Sequence, residues 1–434
     1  MQHLLETIRK NGVVGAGGAG FPTAVKLESK PDTVIMNAAE CEPLLHKDIQ
    51  LLIHHSEEIL SGFQKILDLT GARTGIIGLK EKHKSLLKRL KSFENDQIRI
   101  VPIGDFYPAG DEVTLVYLAT GRLIQPGQLP GSVGCLVQNV ETLYNIALNQ
   151  PVVDKCITVG GAVDNPCSFI VPIGTSYHDI LKELQITIAN FSVISNGLMM
   201  GRLENDLDTV VSKRTGGIIV LPADHYCVQM YERYDTEEQT IRLAKAACDQ
   251  CNFCTEFCPR YLLGQPVRPE TAMRNRMFST QEEPALSIGN TACCECNLCT
   301  LYACPEGLDP KGATVLEKRN LLQKKLRWEG LPRQIHPMFD YRRVPTKKLM
   351  QRLDILKFKD EGPLITFNMT PSVVSIPLQQ HTGKPAVPVV KEGETVERYQ
   401  LLAEADGRIS APVHASISGR IVTIDSEKIV IERE

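Results

Sequence analysis

The sequence predicts an α/β domain built on a parallel sheet. A smaller β-rich module, a helical cysteine-rich insert and a C-terminal unit of short strands follow it. Three observations carry this reading. Strand-like and helix-like runs alternate along the N-terminal region, the pattern of a sheet covered by helices. Cysteines fall in two evenly spaced runs between Cys248 and Cys304. From Ser372 onward the chain changes to short apolar strands separated by turn residues. With 434 residues the chain allows about three domains at the usual ~150 each, and a hydrophobic content of 43% fills their cores.

Taken in order, residues 12–20 read G-V-V-G-A-G-G-A-G, followed by F-P-T-A-V-K. Glycines let backbone amides approach a phosphate or a ring closely. Gly15, Gly17 and Gly20 fit G-x-G-x-x-G, but no long apolar strand precedes them, so the dinucleotide fold that uses this motif lacks its context; a tight structural turn is the alternative. Pro22 suits a first helical turn and places Lys26 one turn on, within reach of a phosphate. T-V-I-M-N predicts a strand, and Glu40 and Glu42 at its end suggest a ligand site. Leu44 to Leu69 keeps a helical apolar period and stops at Gly71. T-G-I-I-G-L-K and I-R-I-V-P-I predict strands. Between them E-K-H-K-S-L-L-K-R-L predicts a helix with a solvated basic face. Residues 152 to about 235 alternate like strands around one helix, and N-G-L-M-M-G (196–201) reads as close packing.

The cysteine runs are C-x2-C-x2-C-x3-C-P at Cys248, Cys251, Cys254 and Cys258, and C-x2-C-x2-C-x4-C-P at Cys293, Cys296, Cys299 and Cys304. Three thiolates two residues apart wrap an iron–sulfur cube, and the fourth, before proline, ligates the other cube. One [4Fe–4S] cluster is therefore expected on Cys248, Cys251, Cys254 and Cys304, the other on Cys258, Cys293, Cys296 and Cys299. Zinc sites favour paired knuckles without this third in-phase cysteine. Cys294 is out of register, and the gap before Cys304 is one residue longer than usual. The remaining cysteines (Cys41, Cys135, Cys156, Cys167, Cys227) are scattered, which suits a reducing cytosol rather than a disulfide framework.

Four short motifs then carry a resemblance. G-A-G-G-A-G-F-P-T-A-V-K is similar to G-R-G-G-A-G-F-P-T-G-L-K, the flavin loop of the FMN-binding subunit of respiratory complex I. N-A-A-E-C-E-P resembles its N-A-D-E-S-E-P, Y-P-A-G-D-E-V-T-L its Y-I-C-G-E-E-T-A-L, and V-Q-N-V-E-T-L its V-N-N-V-E-T-L. The resemblance implies that Gly15, Gly17, Gly18, Lys26, Asn37, Glu40, Asp111, Glu112, Asn139 and Thr142 hold FMN, and that Phe21 and Glu42 contact NADH. Ala39 replaces an acid of that family, and Ser29 stands where an aromatic is expected. The following module resembles the β-grasp (SLBB) domain of the same family. The C-terminal strands are similar to a barrel-sandwich hybrid, the fold of lipoyl and biotinyl carriers. Ala405, Asp406, Gly407 and Arg408 occupy the hairpin tip where such a carrier needs lysine, so no covalent carrier role is expected.

The whole order resembles the PduS/RnfC-like family. It implies five segments: 1–150 flavin and NADH domain, 151–235 β-grasp, 236–330 two-cluster ferredoxin-like domain, 331–365 linker, and 366–434 barrel-sandwich hybrid. It implies an NADH-dependent oxidoreductase that passes electrons through FMN and two [4Fe–4S] clusters to a cobalamin. The alternative is an RnfC-like relay subunit of a membrane-associated complex. Expected partners are NADH and a corrinoid, a corrinoid adenosyltransferase or other redox subunits. Peripheral contact with a membrane complex or a microcompartment shell is compatible with both. A net charge of −3 gives no basic footprint for nucleic acid. No apolar run approaches the roughly eighteen residues of a membrane span, and M-Q-H-L-L-E-T-I-R-K lacks the apolar core of a signal peptide. The expected location is the cytoplasm, including the interior of a bacterial microcompartment. No histidine lies in metal spacing, and no D-x-H-x-x-G segment offers a corrinoid ligand.

Overall fold

The computed structural model describes residues 2–434 except 185, 187, 235, 279–286 and 331–333. Its first unit is a four-stranded, wholly parallel sheet in the order Ile98–Ile103, Thr74–Lys80, Thr33–Ala38, Cys135–Asn139. Thr33–Ala38 is buried along almost its whole length, as a strand covered on both faces must be.

The apolar period from Leu44 to Leu69 does not form one helix. It forms Lys47–His54 and Ser56–Thr70, with Leu44 in the left-handed region and a break at His55. Arg89 explains the break. Its guanidinium donates to the carbonyls of Leu52 and Ile53 at 2.9 and 2.8 Å and to Ser56 Oγ at 2.6 Å. Those carbonyls, opened at the helix end, are thereby satisfied from a distant element. Hydrophobic period alone is blind to such a contact. Gly71, at φ 69°, ends the second helix as expected. Lys84–Leu90 buries Leu86 and Leu90 and leaves its lysines in solvent.

The second unit is a five-stranded mixed sheet, ordered Cys167–Pro172, Asp154–Gly161, Gly217–Pro222, Phe191–Ser195, Arg202–Glu204. Asp154–Gly161 and Gly217–Pro222 run parallel and the other pairs antiparallel. The helix Tyr177–Glu183 packs in its core, and a further helix, Tyr226–Arg233, leads towards the cysteines.

Among the described residues the cysteine loops are framed by the helices Glu237–Ala247, Pro269–Phe278 and Pro310–Gln323. The C-terminal unit closes a core between a four-stranded and a three-stranded antiparallel sheet.

Segment 331–365, expected as a linker, is a fastened strap over its described part. Val344–Pro345 pairs antiparallel with Phe106–Tyr107. Thr346–Arg352 is a helix, and Leu349, Met350, Leu353 and Ile355 are buried. Fully buried Lys80 reaches it, donating to Asp105 Oδ1 at 2.8 Å and Thr346 Oγ1 at 3.2 Å. Proline and basic residues dominate the composition here and hide the few apolar anchors.

Candidate functional site: a flavin cavity against two cysteine nests

A cavity of about 360 Å³ opens at the C-terminal ends of the parallel strands, the usual ligand position in such sheets. Asn37 and Asn139 end two of those strands and face it. Gly15, Gly17, Gly18, Phe21, Lys26, Glu40, Glu42, Asp111 and Glu112 also line it. Thr142 does not. It is fully buried, and its Oγ1 accepts from the Ala16 amide at 3.0 Å, so it supports the loop from behind. Ser29 lies outside the lining, its hydroxyl donating to the Lys26 carbonyl.

The glycine loop is tied by its carbonyls. Those of Gly12, Ala16 and Gly18 accept from Lys213 Nζ, Lys155 Nζ and Arg214 Nε at 2.8, 3.1 and 2.9 Å. Thr382 takes the next two: its Oγ1 donates to Ala19 and its amide to Gly20. All these donors come from the second and C-terminal units. The amides of Gly17, Gly18 and Ala19 have no protein partner among the described residues. Gly18, at φ 104°, has open space where a Cβ would be. A loop with engaged carbonyls and open amides is a concavity suited to an anion. Gln138 Nε2, buried in the same wall, also lacks a partner. Open donors of this kind fit the polar groups of FMN.

Charges line the remaining wall. Lys47 donates to Asp48 and Glu141 at 2.6 and 2.9 Å, and Lys155 also meets Glu141. Burial opposes the charge on Lys47, but Asp48, Glu141 and Glu40 outweigh it and raise its pKa. Glu40 faces the first amides of the helix Lys47–His54, yet burial first and Asp48 second push it up to about 7. Burial also lifts Glu42 to about 7, against the hydrogen bonds it accepts. Those come from the amides of Met199 and Met200, at 3.0 and 3.1 Å, and from Tyr107 Oη at 3.2 Å. Segment 196–201, read from sequence as packing, is therefore only partly so. Leu198 and Met199 are core, while Asn196 and Met200 line the cavity. Alternation of apolar residues and glycine reveals burial but not the acceptor that its amides reach.

Sequence reasoning also missed Lys47, Asp48, Gln138 and Arg214. Gln138 lies inside the V-Q-N-V-E-T-L motif, the one signal that could have found it. Arg214 comes from another unit and carries no local signal.

The cysteines gather in the crossed sets that the spacing predicts. Cys248, Cys251, Cys254 and Cys304 line one small cavity. Cys258, Cys293, Cys296 and Cys299 line another, together with Cys294. The two loops repeat one backbone conformation. Gln250 and Asn252 have φ of 55° and 65°, and Glu295 and Asn297 have 61° and 65°. That register pairs Cys248 with Cys293, leaving Cys294 matched to Asp249. Four thiols around each void are the donor set of a cubane cluster. Cys294 and Cys296 also line the flavin cavity, so the second nest abuts it. Tyr107 joins the two, its hydroxyl donating to the Cys296 carbonyl at 2.9 Å. The first nest reaches the surface at exposed Cys251, beside Phe253 at 45% exposure.

The fold and these sites define a flavin- and iron–sulfur-dependent oxidoreductase whose cofactors are FMN and two [4Fe–4S] clusters. Family comparisons agree. The Nuo51 FMN-binding domain family matches residues 8–148, the 4Fe-4S dicluster domain family 247–309, and the RnfC barrel sandwich hybrid domain family 357–434. Cobalamin reductase PduS of Citrobacter freundii is 40% identical over 100% of this chain and 97% of its own length. That of Salmonella typhimurium is 40% identical over 99% and 96%. The RnfC-type component of the proton-translocating ferredoxin:NAD(+) oxidoreductase complex of Clostridium ljungdahlii is 32% identical over 60% of this chain and 57% of its own. The chain belongs to the cobalamin reductase PduS family. An NAD+-reducing [NiFe]-hydrogenase in the air-oxidised state shares the fold, with TM-score 0.50 and 19% identity over 81% of this chain and 65% of that one. No helix among the described residues is long and apolar enough to cross a membrane.

Proposed function

We propose that the chain oxidises NADH at FMN in the large cavity and passes electrons through the two clusters to a cobalamin. The observation that carries this is the shared wall: Cys294 and Cys296 line both the flavin cavity and the second cysteine nest. The full-length likeness to PduS favours a cobalamin as acceptor over an RnfC-like relay. In this reading 151–235 is a β-grasp (SLBB) unit and 366–434 a barrel-sandwich hybrid, both serving to hold the flavin loop. The location is cytoplasmic, with the interior of a microcompartment as the specific site.

FMN, when bound, accepts a hydride's two electrons and returns them one at a time. The chain supplies the rest. The Gly17–Ala19 amides and Gln138 donate to the flavin. Cys258, Cys293, Cys296 and Cys299 hold the cluster next to it, and Cys248, Cys251, Cys254 and Cys304 hold the cluster at the exit. Phe21 and Glu42 face the incoming nicotinamide nucleotide. A carboxylate has about four acceptor positions, and three on Glu42 are taken, so one on Oε2 is left for a ribose hydroxyl. Glu42 is ionised above about pH 7, so the apparent KM for NADH falls as pH rises through that value. Glu42→Ala raises that KM by about ten- to a hundredfold, one charged hydrogen bond's worth, and frees the 196–201 loop, while FMN content stays full. Anaerobic stopped-flow bleaching of the flavin by NADH and NADPH, in wild type and variant, tests this. If the two nucleotides bleach equally and the variant behaves as wild type, Glu42 does not read the donor. If NADH leaves the wild-type flavin oxidised, a relay fed by another donor is the correct reading.

A further inference from the structure

We infer that Arg214, together with the open amides of Gly17, Gly18 and Ala19, forms a seat for a nucleotide phosphate in the flavin cavity. The inference rests on the flavin reading of that cavity. It assigns the cation of the seat to the second unit, outside the motifs that define the flavin domain.

The charges on the wall single out this arginine. Glu40, Glu42, Asp48, Asp111 and Glu112 line the cavity beside Lys26, Lys47 and Arg214, so most of the wall repels a phosphate. Lys47 is held by Asp48 and Glu141, and Lys26 lies 3.7 Å from Glu112. Arg260, just behind, is held by Asp111 at 2.7 Å. Among the described residues Arg214 has no carboxylate partner. Its only side-chain hydrogen bond there is Nε to the Gly18 carbonyl, so its terminal N–H groups are open to the cavity.

The arginine is also held in place. Its stem crosses Gly20, where a Cβ would lie 2.9 Å from both Cγ and Cδ. Gly20 stands at φ 66° and is the gap through which the arginine reaches the loop. The preceding residue, buried Lys213, is bound to the carbonyls of Gly12 and Pro412, and its amide donates to Gln380. An arginine fixed at its base and at Nε loses little freedom when its fork meets a phosphate. Open amides and an unpaired guanidinium thus meet at Gly18, and both favour the same ligand charge.

Two phosphates share this chemistry: the 5′-phosphate of FMN and the diphosphate of the donor nucleotide. The experiment measures binding by fluorescence in wild type, Arg214→Gln and Arg214→Lys, each carrying its clusters. The ligands are FMN against riboflavin, and NADH against reduced nicotinamide riboside. If the flavin phosphate sits there, Arg214→Gln weakens FMN by about ten- to a hundredfold and leaves riboflavin unchanged. If the donor diphosphate sits there, the loss falls on NADH and spares the riboside. Arg214→Lys keeps the charge and a stem over Gly20, and retains part of the affinity. Equal weakening of the phosphorylated and phosphate-free ligands overturns the inference, since the arginine then only props the loop. Unchanged binding of all four overturns it too. A wild-type protein that takes up no FMN instead overturns the flavin reading itself.

Discussion

Cys293 and Cys294 are neighbours with different surroundings, and the backbone separates them. The positive-φ residues that follow Cys248 recur in the same register after Cys293, so Cys293 has the position of a ligand. Cys294 faces the flavin cavity as well as the nest. Cys294→Ala therefore keeps about eight irons, two cubes' worth, while Cys258→Ala loses the cube of Cys293, Cys296 and Cys299 and keeps that of Cys248. Iron counts with resolved EPR signals check both. A fall to about four irons in Cys294→Ala makes it a ligand. Loss of the Cys248 cube alone in Cys258→Ala undoes the crossing. The ligand sets were legible in the sequence because each thiolate sits at a fixed offset from the last. Arg214 and Gln138 were not, because a lone arginine or glutamine takes its meaning from what the fold brings beside it.

At the scale of the element, the glycine loop is shaped by what binds its carbonyls. Thr382, Arg214, Lys155 and Lys213 turn its amides inward, so its sequence alone specifies only half of its function. A Cβ on Gly17 would lie 3.4 Å from Asn139 Nδ2, and Asn139 donates in turn to Asp48 at 2.7 Å. The branched methyls of Gly17→Val then intrude on that amide and on the cavity. Gly17→Val protein, reconstituted with FMN and desalted, keeps its clusters and no flavin. Stoichiometric flavin in that variant shows that the loop binds something else. The parallel sheet and both terminal units were readable from alternation and turn residues. The single helix over 44–69 was not correct, because Arg89 satisfies carbonyls that a continuous helix would have paired internally. The strap at 344–355 was missed because its order comes from Lys80 and from pairing with Phe106–Tyr107, not from its own composition.

For the whole molecule, the units are arranged as a line. The flavin cavity lies at the sheet, the second nest shares its wall, and the first nest opens at Cys251. The second and C-terminal units clamp the loop, and the strap binds the flavin unit near the cysteine loops, with Arg352 donating to the Cys304 carbonyl at 3.2 Å. Surface pairs such as Arg408 with Glu28, at 2.7 Å, add at most about 1 kcal/mol each; buried contacts at Gly12, Ala16 and Pro412 fix the arrangement. The central claim is that electrons leave the flavin through the clusters. Its most direct test is anaerobic stopped-flow mixing of NADH-reduced protein with cob(III)alamin, in wild type and Cys258→Ala. The account predicts that NADH bleaches the flavin equally fast in both, and that cob(II)alamin appears rapidly only in wild type. Cob(II)alamin forming at the wild-type rate in Cys258→Ala would contradict it, since the electrons would then leave the flavin directly.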